Sequence, residues 1–193
     1  MKMRRILIVL ATIIGLTLAC AIVVYCHAIY RQSEGIAFLQ ALSDVKVAST
    51  TRDEFTKKMM AFKEFESSSV PSACYEKKCY TGVGYGIDNS ILGKYLMFPG
   101  TNLAAGVYFD SNNIVKGTIV TLDRIGIASA TVEERPEPTG KASVKTTPWS
   151  GRTQQIHLVL DDAHRQDIPR LSVSCFTSWL GCDTAQKLLA HGN

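Results

Sequence analysis

Six cysteines are the first residues of this 193-residue chain that could do chemistry, and they fall in three close pairs: Cys20 and Cys26, Cys74 and Cys79, Cys175 and Cys182. Redox catalysis uses C-x-x-C, where a helix N-terminus depresses the pKa of the first thiol. Neither Cys74 with Cys79 nor Cys175 with Cys182 has that spacing, and neither makes the short knuckle of most zinc sites. In an oxidising compartment an even number of cysteines reads first as disulfides, so Cys74, Cys79, Cys175 and Cys182 are the disulfide candidates. Residues five apart in an extended strand are about 16 Å apart, so a Cys74–Cys79 bond requires "YEKK" to turn. A Cys175–Cys182 bond requires the chain to fold back, and Gly181 offers the place. Local pairing closes short loops, worth about 2–2.5 kcal/mol each, and crossed pairing would close long ones, worth about 4–5 kcal/mol each. Four cysteines allow three pairings; local pairing is the favoured one.

A second group sits in "HLVLDDAHRQD". His157 lies on a strand and His164 in the loop that follows, with Asp161 and Asp162 between them, so His157, Asp161 and His164 are the candidate metal ligands. The expectation is solvated surface residues, with no metal and no cofactor. No G-x-S-x-G, H-E-x-x-H or P-loop pattern is present.

The glycines of "TGVGYG" follow Cys79. Four letters, "VGYG", resemble the potassium-channel filter, which needs four copies of its loop lining a pore within a membrane. No second membrane span or pore helix follows in this sequence, and Gly82 interrupts the order of the motif, so the likeness is coincidental. Gly82, Gly84 and Gly86 alternate and share one face of a strand, against which a helix or another backbone could approach closely.

The positioning elements begin with "ILIVLATIIGLTLACAIVVY", residues 6–25, a 20-residue run without a charge. As a helix it is about 30 Å long, the thickness of a bilayer's hydrocarbon core. Lys2, Arg4 and Arg5 precede it, so the positive-inside rule leaves residues 1–5 as a basic cytoplasmic N-terminus and puts everything after Tyr25 outside. A cleaved signal peptide would use "ACA" at residues 19–21, but the apolar run continues past it through Ile22, Val23 and Val24. "LTLAC" resembles the box of bacterial lipoproteins, which would be acylated at Cys20, although Thr17 stands where leucine is usual. The uncleaved anchor is the leading reading. Ala11, Gly15 and Ala19 form a small-residue ridge on one helix face, of the kind through which membrane helices dimerise.

Beyond the anchor the charge is nearly balanced. Lys2, Arg4 and Arg5 account for three of 21 Lys and Arg, leaving 18 against 17 Asp and Glu. No basic stripe interleaved with aromatics remains, so nucleic acid is not an expected partner. Residues 26–50 read as a juxtamembrane stalk, helical over 27–44, with Ile36, Leu39, Leu42 and Val45 at helical spacing. Residues 51–193 read as the extracytoplasmic domain. Its first helix covers 52–66, with Thr51 and Glu54 at capping-box spacing and Phe55, Met59, Phe62 and Phe65 as an apolar stripe facing a sheet. "NLAAGVYFDSNNIVKGTIVTLDR" reads as a hairpin turning at Asp110–Asn113, and "GIASATVEE" continues it. The prolines of residues 135–148 predict a long exposed loop. "TQQIHLVLD" is the last strand, and a short helix over 184–191 closes the chain. The sum is an α+β domain, helices packed on an antiparallel sheet, carried by an N-terminal transmembrane helix.

The ending "LSVSCFTSWLGCD", residues 171–183, resembles that of a family of bacterial single-pass membrane-anchored proteins with no assigned activity. Matching positions are Ser174, Cys175, Gly181 and Cys182 at the end, and Ser49, Thr50 and Asp53 at the helix start. That start lies one residue before the Thr51–Glu54 spacing, which leaves open which threonine caps. The resemblance implies the architecture of a bacterial inner-membrane protein, with its C-terminal domain extracytoplasmic. The functional expectation is a non-catalytic interaction or structural domain. Its partners would be the bilayer, a second copy through the transmembrane helix, and another envelope protein met through the sheet face or the proline-rich loop. The alternative is an envelope enzyme whose site is assembled from scattered residues.

Overall fold

The computed structural model describes residues 2–67, 73–75, 78–89, 100–125, 127–134, 143–148, 154–160, 171–177, 182 and 188; for 73–75, 78–79, 134, 143–148 and 154–160 the description is of backbone. One helix, α1 (Lys2–Ser43), runs 42 residues without a break. Its first half is long and apolar enough to cross a membrane, and Ile6, Leu7, Ile8, Val9, Leu10, Ile13, Ile14, Leu16 and Leu18 are all exposed. The hydroxyls of Thr12 and Thr17 donate back to the carbonyls of Ile8 and Ile13, so neither leaves a bare polar group on an apolar surface.

The second half of α1 behaves differently. Ala28, Phe38, Leu39 and Leu42 are buried to within 2 % exposure, and Val45 and Val47 follow them into the core. The segment expected as a stalk therefore supplies part of the domain's own core, with Ile36 left outside at 40 % exposure. A turn carries the chain out of α1, with Ala48 at φ 64°. The Ala48 N–H donates to the Val115 carbonyl at 2.7 Å, and the Val115 N–H donates back to Thr50 at 2.9 Å. Thr51 then caps α2 (Arg52–Lys58): its hydroxyl accepts from the Glu54 N–H while the Glu54 carboxylate accepts from the Thr51 N–H. The cap is Thr51, so the helix starts where the Thr51–Glu54 spacing puts it and not one residue earlier. A 3₁₀ turn (Met60–Phe65) replaces the second half of the expected helix. Phe55 and Met59 are buried, and Phe62 and Phe65 pack on the core's edge, as the stripe requires.

Among the described residues the sheet has eight strands: β1 (Glu66–Ser67), β2 (Ala73–Tyr75), β3 (Lys78–Asp88), β4 (Thr101–Phe109), β5 (Val115–Arg124), β6 (Ala128–Glu134), β7 (Ser143–Pro148) and β8 (Gln154–Leu160). Their order is β1-β3-β4-β5-β6-β8-β7, with β2 paired to β3 beside β1. From β3 to β6 it is an antiparallel meander. The β4–β5 hairpin turns where Asp110–Asn113 places it, with Asp110 Oδ1 accepting from the Asn112 and Ile114 N–H groups at 2.9 and 3.0 Å.

The antiparallel sheet expected from the sequence is present, and β8 extends it by lying parallel to β6, with β7 pairing antiparallel outside β8. One expectation is corrected: residues 135–148 are not a loop throughout, because Ser143–Pro148 is a strand, while 135–142 lies outside the described residues. Proline rules out a central strand but not an edge, and β7 is an edge strand. Of the expected closing helix only Leu188, helical and buried, lies among the described residues.

Core packing is continuous from α1 to the sheet. Phe38 meets Phe62 edge-to-face and Tyr85 at a tilt, and Phe55 meets Tyr85 and Phe109 edge-to-face, with ring centroids 5.4–6.1 Å apart. Burial, and then the Glu66 carboxylate, push the Tyr85 phenol up to about 12. It is neutral at any physiological pH.

Candidate interaction surfaces and the C-terminal clasp

Strand alternation sorts the sheet into two faces. One carries Tyr85, Ile87, Leu103, Ala105, Val107, Val120, Leu122, Ala130 and Val132, and meets α1 and α2. The other carries Gly82, Gly84 and Gly86 of β3, then Ala104, Gly106 and Tyr108 of β4, Ile119, Thr121 and Asp123 of β5, and Ser129, Thr131 and Glu133 of β6. This second face is small and polar. The Thr121 and Thr131 hydroxyls bond across the strands at 3.0 Å, and burial raises the Asp123 carboxyl above its ordinary value. A Cβ at Gly106 would lie 3.0 Å from Ile119 Cγ2, so the glycine there makes room for a cross-strand neighbour. At Gly86 a Cβ would meet nothing within 4 Å. The glycine face of β3 is thus not closed by a helix at that point.

The register puts His157 on the same face, opposite Thr131 on one side and Lys145 on the other. Asp161, Asp162 and His164 lie outside the described residues. Among the described residues no three His, Cys, Asp or Glu side chains converge on a possible metal position.

The cysteines divide by region. Cys175 and Cys182 form a disulfide with Cα atoms 5.8 Å apart, so this pair is joined locally. Cys74 stands directly opposite Cys79 in the antiparallel β2–β3 pair. Opposed residues there have Cα atoms about 4.5–5.5 Å apart, within reach of a disulfide. Cys20 and Cys26 are free and exposed on α1. Ala11, Gly15 and Ala19 are exposed too, and a Cβ at Gly15 would meet nothing within 4 Å.

Around the Cys175–Cys182 disulfide the C-terminal segment forms a clasp between α1 and the sheet. A short 3₁₀ turn (Val173–Phe176) is its centre. Asn89 Nδ2, at the end of β3, donates to the Phe176 carbonyl at 2.5 Å, and Thr101 Oγ1, at the start of β4, donates to the Cys175 carbonyl at 3.1 Å. Thr177 Oγ1 donates to Gln32 Oε1 on α1 at 3.2 Å. A Cβ at Gly35 would lie 3.0 Å from Val173 Cγ1 and 3.5 Å from Leu103 Cδ2, so the absence of a side chain there lets the helix come close. Gly35, Asn89 and Thr101 were not legible as a unit in the sequence. The available signal was that Ala21, Val24, Ala28, Gly35 and Leu42 share one helical stripe through both halves of α1.

No family model, curated protein or solved structure matches the chain.

Proposed function

We propose that this is a single-span protein of the bacterial cytoplasmic membrane whose extracytoplasmic α+β domain binds or supports another envelope component without catalysing a reaction. The basic residues Lys2, Arg4 and Arg5 ahead of the apolar run support a cytoplasmic N-terminus. The Cys175–Cys182 disulfide supports an oxidising compartment for the domain. The unbroken passage of α1 through Cys20 and into the core supports an anchor that is retained, neither cleaved nor acylated.

The observation that carries the binding role is the second face of the sheet. It carries hydroxyls, a half-buried carboxyl and small residues on its strands, without α1 or α2 upon it, and Thr121 and Thr131 stay partly exposed while Ser129 and Glu133 are buried. Such a face suits a polar protein surface, since its short hydroxyl and carboxyl side chains can be matched by hydrogen bonds at low side-chain entropy cost.

A photo-crosslinking residue at Thr121 or Thr131, expressed in intact cells, tests this. The expected result is a discrete adduct from Thr121 that is missing when the same residue is placed at Asn112. Adducts of equal yield from both positions would defeat the binding role. Peptide mapping of the same sample without reduction checks the compartment: Cys175 and Cys182 are expected as one linked peptide, and free thiols there would contradict it.

A further inference from the structure

The domain's geometry relative to α1 fixes how far from the membrane it can stand. Burial along α1 sets in before the apolar run ends. Ala21 and Val24, inside that run, are already half-buried, and Ala28, three residues past Tyr25, is fully buried. At 1.5 Å per residue, Ala21 lies about 6 Å on the membrane side of Tyr25. The helix is continuous across this boundary, so no hinge lifts the domain away.

The sheet gives a second, independent estimate. Gly35 of α1 adjoins Leu103, Phe38 meets Tyr85, whose β4 partner is Ala105, and Phe55 beyond the end of α1 meets Phe109. Strand β4 therefore ascends alongside α1, and its start at Thr101 points to the membrane. Gly35 stands about 15 Å above Tyr25. Two residues down β4 from Leu103, across to Arg124 and on to the following turn, the chain is about 7–10 Å lower. At that turn Ile125 is 56 % exposed, its N–H held by the Gly100 carbonyl at 3.0 Å. Ile125 thus lies about 5–8 Å above the end of the apolar run, the depth of the headgroup layer of one leaflet. At the same level α1 exposes Ile29 and Tyr30, at 45 % and 58 %. Tyrosine at this depth is a usual membrane-interface anchor, and exposed isoleucines beside it bury apolar surface against the lipid.

Resting on the reading of residues 6–25 as a membrane span, we infer that the domain sits flush on the bilayer. The Ile125 turn and the Ile29–Tyr30 side of α1 occupy the lipid headgroup layer, and the β4–β5 turn at Asn112 points away from it. The lipid surface is then a binding partner of the domain itself and not only of its anchor.

The test uses the full chain in liposomes, with a fluorophore attached through a genetically encoded azide residue at position 15, 29, 112 or 125. Two probes read it: phospholipids brominated near the top of their acyl chains, and aqueous iodide. Position 15 reports on the span, and is expected to be quenched by bromolipid and shielded from iodide. If it is not, the membrane reading itself fails. With position 15 behaving as a span, positions 29 and 125 are expected to be quenched by bromolipid, with that quenching lost at 112. Iodide quenching at 125 equal to that at 112, without bromolipid quenching, would overturn the flush seat while leaving the span intact.

Discussion

Between Ile6 and Leu18, α1 leaves every large apolar side chain exposed, whereas from Phe38 onward the same chain buries Phe38, Leu39, Leu42, Val45 and Val47. Both stretches are apolar, and no break separates them. The difference is in pattern. The first is apolar on all sides, the pattern of a membrane span or of a helix buried all round, and the second is apolar on one stripe, which a sheet can cover. A single helix thus has an exposed half, long and apolar enough to cross a membrane, and a half that enters the protein core, with burial setting in between Ala21 and Ala28. Hydrophobicity along this helix says where water is excluded; periodicity says what excludes it.

Substitutions that act on one half only would sharpen this contrast. Phe38→Ala should have the largest effect, because it opens a cavity against Phe62 and Tyr85 and costs about 3–5 kcal/mol. Ile8→Ala, on the exposed apolar half, should leave the domain's unfolding midpoint unchanged. Denaturant unfolding in detergent, followed by the near-ultraviolet signal of the core aromatics, reads both. An equal loss from the two would break the comparison.

Removing the clasp's covalent bond comes next. Cys175→Ser with Cys182→Ser should lower stability by about 2.5 kcal/mol, the value of a short closed loop. Its effect should appear first as faster hydrogen exchange at Gln32 and Gly35, because the clasp is what holds that part of α1 to the sheet.

The two glycines of α1 make the third pair. Gly35→Leu forces a side chain against Val173 and Leu103 and should cost about 1–3 kcal/mol. Gly15→Leu meets open space and should cost the domain nothing. Thermal unfolding of the two variants side by side decides whether Gly35 is a packing requirement.

The smallest effect is electrostatic, on the second face. Burial raises the Asp123 carboxyl above 3.8, so its ionised form destabilises the fold. Its contribution is most favourable below the unfolded pKa and is lost as pH rises through the raised value. Asp123→Asn should therefore raise the melting temperature at pH 7, and the gain should vanish as pH falls toward 3.8.

Much of the architecture was legible because local chemistry and tertiary packing agree. The Thr51–Glu54 spacing is a real capping box, and the Asp110–Asn113 cluster is a real hairpin turn, with Asn113 at φ 59°. What escaped the sequence was long-range. Whether the helix after Tyr25 stands free or packs depends on Val173 and Leu103, far along the chain, reaching Gly35. Proline at 148 tells against a central strand yet permits the edge that β7 takes, and sequence order alone hides that β8 inserts between β6 and β7. Of the candidate site residues, the Cys175–Cys182 pair was visible from spacing. The small polar face was only half visible: β3 announced it with Gly82, Gly84 and Gly86, while Thr121 and Thr131 join it through register.

Hydrogen exchange along α1, measured by mass spectrometry on the full chain in lipid nanodiscs, tests the central claim most directly. The expected result is unbroken protection from the apolar run through residues 26–34 and on to Ser43, with the amides of 35–42 exchanging as slowly as those of β4 and β5. Rapid exchange over 26–34, with protection on either side, would show a flexible stalk and contradict it.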